Sequence, residues 1–245
     1  MAAWYKEWFG HEYLELYSYR DAGEAQQNVD FVRRVMEEDG EARNGVRVLD
    51  LACGAGRHTA ALRDGGLDAL GVDLSLTLLA RAAGLPRLAG DMRCLPLADE
   101  SFDWVLNFFT SFGYFERERE NFRVLEEIAR VLAPGGWFLM DLFNSERVIA
   151  GLEPREERQV AGRRVGIERW YDEASKRVNK RISIEVEDGR AQTFLESVRA
   201  YRPEEVVIGM AWAGLEVTAR YGNFDGEQFS GDSPRLILVG HKAGA

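Results

Sequence analysis

Val46-Arg47-Val48-Leu49-Asp50-Leu51-Ala52-Cys53-Gly54-Ala55-Gly56, followed by Gly71-Val72-Asp73, decides the reading of this chain. The apolar run Val46 to Leu51 fits a buried parallel strand, and the glycines after it allow a sharp turn and close approach to a ligand where a Cβ would clash. Gly54 and Gly56 begin a pattern used for dinucleotides, but Thr59 stands where its third glycine would be. That glycine lets a helix pack closely beneath a pyrophosphate. Without it, and with the Asp50 carboxylate in the strand, the turn suits a ligand that presents a cation.

Two further acids close two further strands. Asp73 ends the stretch Ala69-Leu70-Gly71-Val72, where a carboxylate can accept from both hydroxyls of a ribose. Asp91 follows Leu88-Ala89-Gly90, where it can accept from an adenine amino group, with Met92 as apolar cover. Phe102-Asp103-Trp104-Val105-Leu106-Asn107 reads as a fourth strand, Val131-Leu132-Ala133-Pro134-Gly135-Gly136 as a helix end and turn, and Trp137-Phe138-Leu139-Met140-Asp141 as a fifth strand.

With these motifs in this order, residues 44–145 resemble the class I S-adenosylmethionine-dependent methyltransferases, and more narrowly their small-molecule members. The resemblance implies an α/β, Rossmann-like fold: a seven-stranded, mostly parallel sheet with helices on both faces. It also implies S-adenosylmethionine at the carboxyl ends of the strands and S-adenosylhomocysteine as product. The implied donor set is Asp50, Ala52, Gly54, Gly56, Asp73, Leu74, Asp91, Met92 and Asn107. Members of this family often lay an amino-terminal segment over the donor, which makes Tyr13, Tyr17 and Arg20 candidates for its carboxylate.

At 245 residues and 46% apolar composition, the chain has the size of one α/β domain with a sizeable core. Its net charge of −10 disfavours nucleic acid, whose binding rests on Lys and Arg neutralising phosphates, and favours a small-molecule substrate. Cys53 and Cys94 make no disulfide framework, and no apolar run approaches the length of a membrane span. A cytoplasmic monomer or homodimer without a membrane partner is expected.

Along the chain, one domain over 1–245 divides into an N-terminal helical lid (1–40), the donor-binding core (44–145), an inserted antiparallel sheet after the fifth strand (146–202) and a closing segment (203–245). Trp4, Tyr5, Trp8, Phe9, Tyr13, Tyr17 and Tyr19 recur at helical spacing within 4–19, which fits either a packed core stripe or the lid; a second helix is expected over 24–38. Ser75 is a fitting N-cap, and the helix over 116–132 opens with Glu116, Glu118 and Glu120. In the insertion, Arg163–Tyr171, Arg177–Glu187 and Thr193–Tyr201 alternate as strands, with a hairpin turn at Asp188-Gly189. The runs Arg155-Glu156-Glu157-Arg158 and Arg163-Arg164 read as solvated surface. After a helix from Pro203 to Ala213, Leu215–Tyr221 and Leu236–Lys242 complete the implied sheet.

Methyl transfer from a sulfonium is an in-line displacement that chiefly needs alignment of nucleophile, carbon and sulfur. The three histidines show no metal-ligand spacing, and no metal is expected. His11 and Tyr114 are the candidates for a catalytic group, while His58 reads as structural. Tyr114, Thr110, Asn144 and Trp170 are the candidates for the acceptor pocket, with Asn107 and Ser111 on the same rim. The inserted sheet serves either as a wall of that pocket or as a dimer interface. Competing functions are methylation of a protein or RNA, donor or product binding without catalysis, and a nicotinamide oxidoreductase, which the missing third glycine opposes.

Overall fold

The computed structural model describes residues 3–38, 45–186 and 190–244. After β1 (Arg47–Leu51) the chain alternates through α4 (Arg57–Asp64), β2 (Asp68–Asp73), α5 (Leu76–Arg81), β3 (Arg87–Ala89), β4 (Phe102–Asn107), α6 (Glu118–Val131) and β5 (Leu132–Phe143). The last two strands are β10 (Leu215–Tyr221) and β11 (Arg235–Lys242). The seven strands form one sheet in the order β10-β11-β5-β4-β1-β2-β3, with β11 antiparallel to both neighbours. The expected α/β architecture is therefore present.

Alternate residues of each central strand point to opposite faces, and both faces are covered. Leu49, Leu51 and Val105 pack with Val124, Leu125 and Ile128 of α6 and with Val206 and Met210 of α8 (Pro203–Trp212). Val48, Trp104 and Leu106 pack on the other face with Ala61 and Leu62 of α4 and with Val29, Phe31 and Val32 of α3 (Ala22–Glu38). The chain leaves β1 toward β2 on one side and returns at β4 on the other. That reversal opens a crevice beyond the strands' carboxyl ends, where α/β sheets bind ligands.

After α7 (Ser145–Ala150), the insertion forms a separate four-stranded antiparallel sheet, β6 (Arg155–Val160), β7 (Arg163–Asp172), β8 (Arg177–Glu185) and β9 (Ala191–Arg199). Two charged runs read as plain surface are ordered parts of it. Arg155 to Arg158 lies in β6, where Glu156 accepts from Arg169 at 2.5 Å, and Arg163 pairs with Glu15 of the N-terminal segment. The expected turn at Asp188-Gly189 lies outside the described residues.

The N-terminal aromatic stretch is two short helices, α1 (Trp4–Trp8) and α2 (His11–Leu16), divided at Gly10. Trp8, Leu16 and Tyr17 share a third core with Val165, Ile167, Ile182, Ile184 and Phe194 of the inserted sheet. A second difference concerns β5: it begins at Leu132, directly after α6, so Pro134-Gly135-Gly136 forms an irregularity within that strand instead of a stop before it.

Candidate active site

The crevice is a cavity of about 290 Å³ between the carboxyl ends of β1, β2 and β4 and the N-terminal segment. Its floor is built by local chemistry. Ala52 and Gly54 take left-handed φ values of +62° and +57°, which fold the chain back after β1. The Gly54 N–H then donates to Asp73 Oδ2 at 2.8 Å, and the Ser75 N–H donates to Asp73 Oδ1 at 2.7 Å. One carboxylate thus fixes the turns after both β1 and β2. Burial raises the Asp73 pKa, opposed by these backbone donors. Ser75 is the expected N-cap of α5: its hydroxyl accepts from the Leu78 N–H and donates to the Phe9 carbonyl at 2.6 Å, tying floor to N-terminal segment.

Ala52, Gly54, Asp73, Leu74, Asp91 and Met92 line the cavity, as do Tyr13, Tyr17, Arg20 and Tyr114. Asp91 is not free to act alone. Arg93 donates to both of its oxygens, at 3.0 and 2.6 Å; burial by itself would raise its pKa, but the guanidinium holds it below the usual carboxylate range. Arg93 also reaches Glu120 and stacks on Phe115, so the site's third acid comes with its own counter-ion.

Other candidates stand elsewhere, for identifiable reasons. Asp50 is 1% exposed beneath the floor, where it accepts from the Thr59 hydroxyl at 2.6 Å; burial lifts its pKa to about 6. Thr59 in place of a third glycine therefore supplies a donor to the buried acid. Gly56 caps α4 with φ +80°, and a Cβ there would sit 2.8 Å from the Ala82 Cβ, so it serves helix contact and not the cavity wall. Asn107 donates to the Leu51 carbonyl at 2.9 Å, joining the ends of β4 and β1. Thr110 accepts from Arg235, and Asn144 donates to the Gly231 and Ser233 carbonyls, so neither side chain reaches the cavity. Trp170 lies on the inserted sheet under Arg181, and His11 is exposed.

The roof is aromatic. Tyr114 lies between Phe9 and Tyr5, with ring centroids 5.7 and 6.4 Å away, and Trp4 closes on it edge-on at 4.8 Å. Arg177 of β8 donates to the carbonyls of Gly113, Tyr114 and Phe115, each at 3.0 Å, so the inserted sheet holds the loop that presents Tyr114. Tyr17 donates to Glu196 of β9 and accepts from Lys180 of β8. The stripe in 4–19 thus packs on the inserted sheet with one side and lines the cavity with the other.

Tyr5, Phe9, Arg57 and His58 also line the cavity without having been among the candidates for it. The first two belong to the same aromatic stripe, and Arg57 and His58 open α4 immediately after the glycine turn, so position after a motif was the available signal. His58 stacks on Phe108 at 4.2 Å with Asn28 at 3.2 Å from its Nε2; burial drops its pKa well below that of a free imidazole and keeps it neutral at pH 7.

Comparison with known proteins follows the same lines. Residues 49–140 match a family model described as a methyltransferase domain. The cypemycin N-terminal methyltransferase of a Streptomyces species is 30% identical over 207 residues, covering 80% of this chain and 83% of that protein. The demethylmenaquinone methyltransferase of Renibacterium salmoninarum is 37% identical over 116 residues, which is 46% of this chain and 47% of the relative, so that match spans about half of each. The structure of a sugar N-methyltransferase from a Streptoalloteichus species superposes with a TM-score of 0.70 at 25% identity, covering 96% of this chain and 94% of that one. Sheet order, glycine turn, Asp73 and a relative matched over most of its length together place this chain in the class I S-adenosylmethionine-dependent methyltransferase family.

Proposed function

We propose that this protein methylates an amine nitrogen of a small molecule, using S-adenosylmethionine as donor. The observation that carries the reading is Asp73, held by the Gly54 and Ser75 N–H groups at the cavity wall, where its remaining lone pairs can accept from a vicinal diol. The rest of the wall fits the same ligand. Val72, Leu74, Leu78 and Met92 offer apolar cover for a purine beside Asp91, and Arg20 and Arg57, the latter paired with Glu24 at 2.7 Å, line the cavity and give it positive charge toward a carboxylate.

When bound, the donor supplies an electrophilic methyl group on a positively charged sulfur. The protein's task is alignment in a dry site. The rings of Phe9, Tyr13 and Tyr114 exclude water from one side. Burial raises the Tyr114 and Tyr17 hydroxyls far above neutrality, so both stay protonated and serve as hydrogen-bond groups. With His11 outside the cavity and His58 hydrogen-bonded to Asn28, an amine acceptor is read as losing its proton to water.

Nitrogen as the acceptor atom is supported by the two proteins matched over most of their length, whose names place their chemistry at an N-terminus and at a sugar nitrogen. Among the described residues, no helix is long and apolar enough to cross a membrane, and no group of three His, Cys, Asp or Glu is placed to hold a metal ion. The test is calorimetric titration of ligand-free protein with S-adenosylmethionine and with S-adenosylhomocysteine, followed by a mass-resolved screen of amines, alcohols and phenols. Micromolar binding of both nucleosides and methylation confined to amines is expected. Absence of binding overturns the donor assignment, and methylation of oxygen alone overturns the acceptor class.

A further inference from the structure

Phe109 and Thr110, just past β4, carry φ values of +57° and +58°. Two consecutive left-handed residues, one aromatic and one β-branched, persist only when their surroundings hold them. The holder is Asp141, which is 0% exposed in β5. Its Oδ2 accepts from the Phe109 N–H at 2.8 Å, and its backbone carbonyl accepts from the Thr110 N–H at 2.9 Å. Its Oδ1 accepts from Arg235 Nε at 2.7 Å, and Arg235 also donates to the Thr110 hydroxyl at 3.1 Å. Neither Asp141 nor Arg235 lines the cavity, but Phe109 does.

The ring presented in this way is a platform for charge. The Arg57 guanidinium lies 4.4 Å from its centroid and that of Arg20 5.1 Å, and both of these arginines line the cavity. Two like charges stay close only if something stabilises both: Arg57 Nη1 pairs with Glu24 at 2.7 Å, Arg20 donates to the Tyr13 hydroxyl at 2.9 Å and lies 4.3 Å from the Tyr17 ring, and the Phe109 face is the group the two share. We infer that Asp141 and Arg235 are positioning residues: they lock Phe109 into its left-handed turn, and Phe109 in turn sets where Arg20 and Arg57 stand and so governs the cavity's hold on a carboxylate.

This rests on the donor reading above, under which the carboxylate is that of the donor's amino-acid part. The test compares S-adenosylhomocysteine, which has that part, with 5′-methylthioadenosine, which lacks it but keeps the adenosine. Phe109→Leu removes the platform. Asp141→Asn leaves one amide facing two donors, the Phe109 N–H and Arg235, of which its single oxygen satisfies one. In both variants the Kd for S-adenosylhomocysteine is expected to rise about tenfold, with that for 5′-methylthioadenosine changed less than about twofold. Phe109→Tyr, which keeps the ring, should retain the wild-type ratio.

Equal weakening of both nucleosides in Phe109→Leu, or no weakening of either, overturns the inference. Should Asp141→Asn fail to fold, Phe109→Leu alone still decides it. Wild-type protein that binds neither nucleoside overturns the donor reading and this inference together. Wild-type binding with an unaltered ratio in Phe109→Leu overturns the inference alone.

Discussion

The floor and the roof of the cavity are built in different ways. The floor is assembled within a short stretch, from the turn after β1 to Ser75, by backbone donors converging on Asp73. The roof joins three remote segments: the N-terminal helices, the loop after β4 and the inserted sheet. Its ties include the Trp8 Nε1 bond to Glu196 at 2.6 Å, between residues 188 positions apart. The floor is therefore fixed by local turn chemistry, while the inserted sheet, among the described residues, contributes no side chain to the cavity lining and bears on it through the N-terminal helices and the loop that carries Tyr114.

The contrast is most directly broken in the roof core. Trp8 is 1% exposed, packs on Phe194 at a centroid distance of 4.9 Å and donates to Glu196. Trp8→Ala should cost about 3–5 kcal/mol through a cavity and a lost hydrogen bond. If roof and floor are separate cooperative units, hydrogen exchange will show the loss in β8 and β9 amides while those of β1 and β4 keep their protection. A uniform loss across all four strands would mean that they fold as one unit.

Below the floor, Asp50 gives an effect of smaller expected size. Burial raises its pKa from 3.8 to about 6, with the Thr59 hydrogen bonds opposing and the Asp73 charge adding to the rise. The folded state holds this proton more tightly than the unfolded chain does. Its contribution to stability is thus fully present below about pH 3.8 and is lost as pH rises through about 6. The amount is on the order of 3 kcal/mol, at about 1.4 kcal/mol per pKa unit. Denaturant midpoints of wild type and Asp50→Asn, measured from acid to neutral pH, should diverge in that direction, the variant gaining relative to wild type as pH rises. Subtraction removes the opposite contribution of His58, whose depressed pKa costs stability as pH falls below 6.5 in both proteins. A difference that stays constant with pH would show that Asp50 carries no such shift.

The smallest of the three effects sharpens the floor itself. Asp73→Ala should weaken S-adenosylhomocysteine by about 1–3 kcal/mol through loss of a charge-assisted contact, read by titration. Unchanged affinity would remove the ribose assignment and leave Asp73 as a strut between two turns.

Much of the floor is legible in the sequence. The Leu215–Tyr221 strand and the Ser75 cap are present as expected, because alternation, apolar runs and capping act over a few residues. The fates of the amides and acids were harder to read. Asn107 and Asn144 have the polar character of rim residues, but each found backbone carbonyls elsewhere, at Leu51 and at 231 and 233. Arg155 to Arg158 is solvated charge as its sequence reads, with the Arg155 side chain 84% exposed, but its pairing with β7 as an edge strand, with Glu156 on Arg169, depends on residues remote from the run. Asp91 was closer to being readable, since its partner Arg93 is two positions away.

By itself the sequence determined the alternating α/β order, the glycine turn and the acids at the strand ends. These depend on backbone conformation and hydrophobic period, which neighbouring residues impose. Only the tertiary structure decided which of the polar and aromatic side chains reach the cavity, that Asp50 lies beneath it and that Phe109 lies within it. Those outcomes depend on which distant donor or ring a side chain meets once separate segments pack, and a buried polar group takes whatever partner that packing supplies.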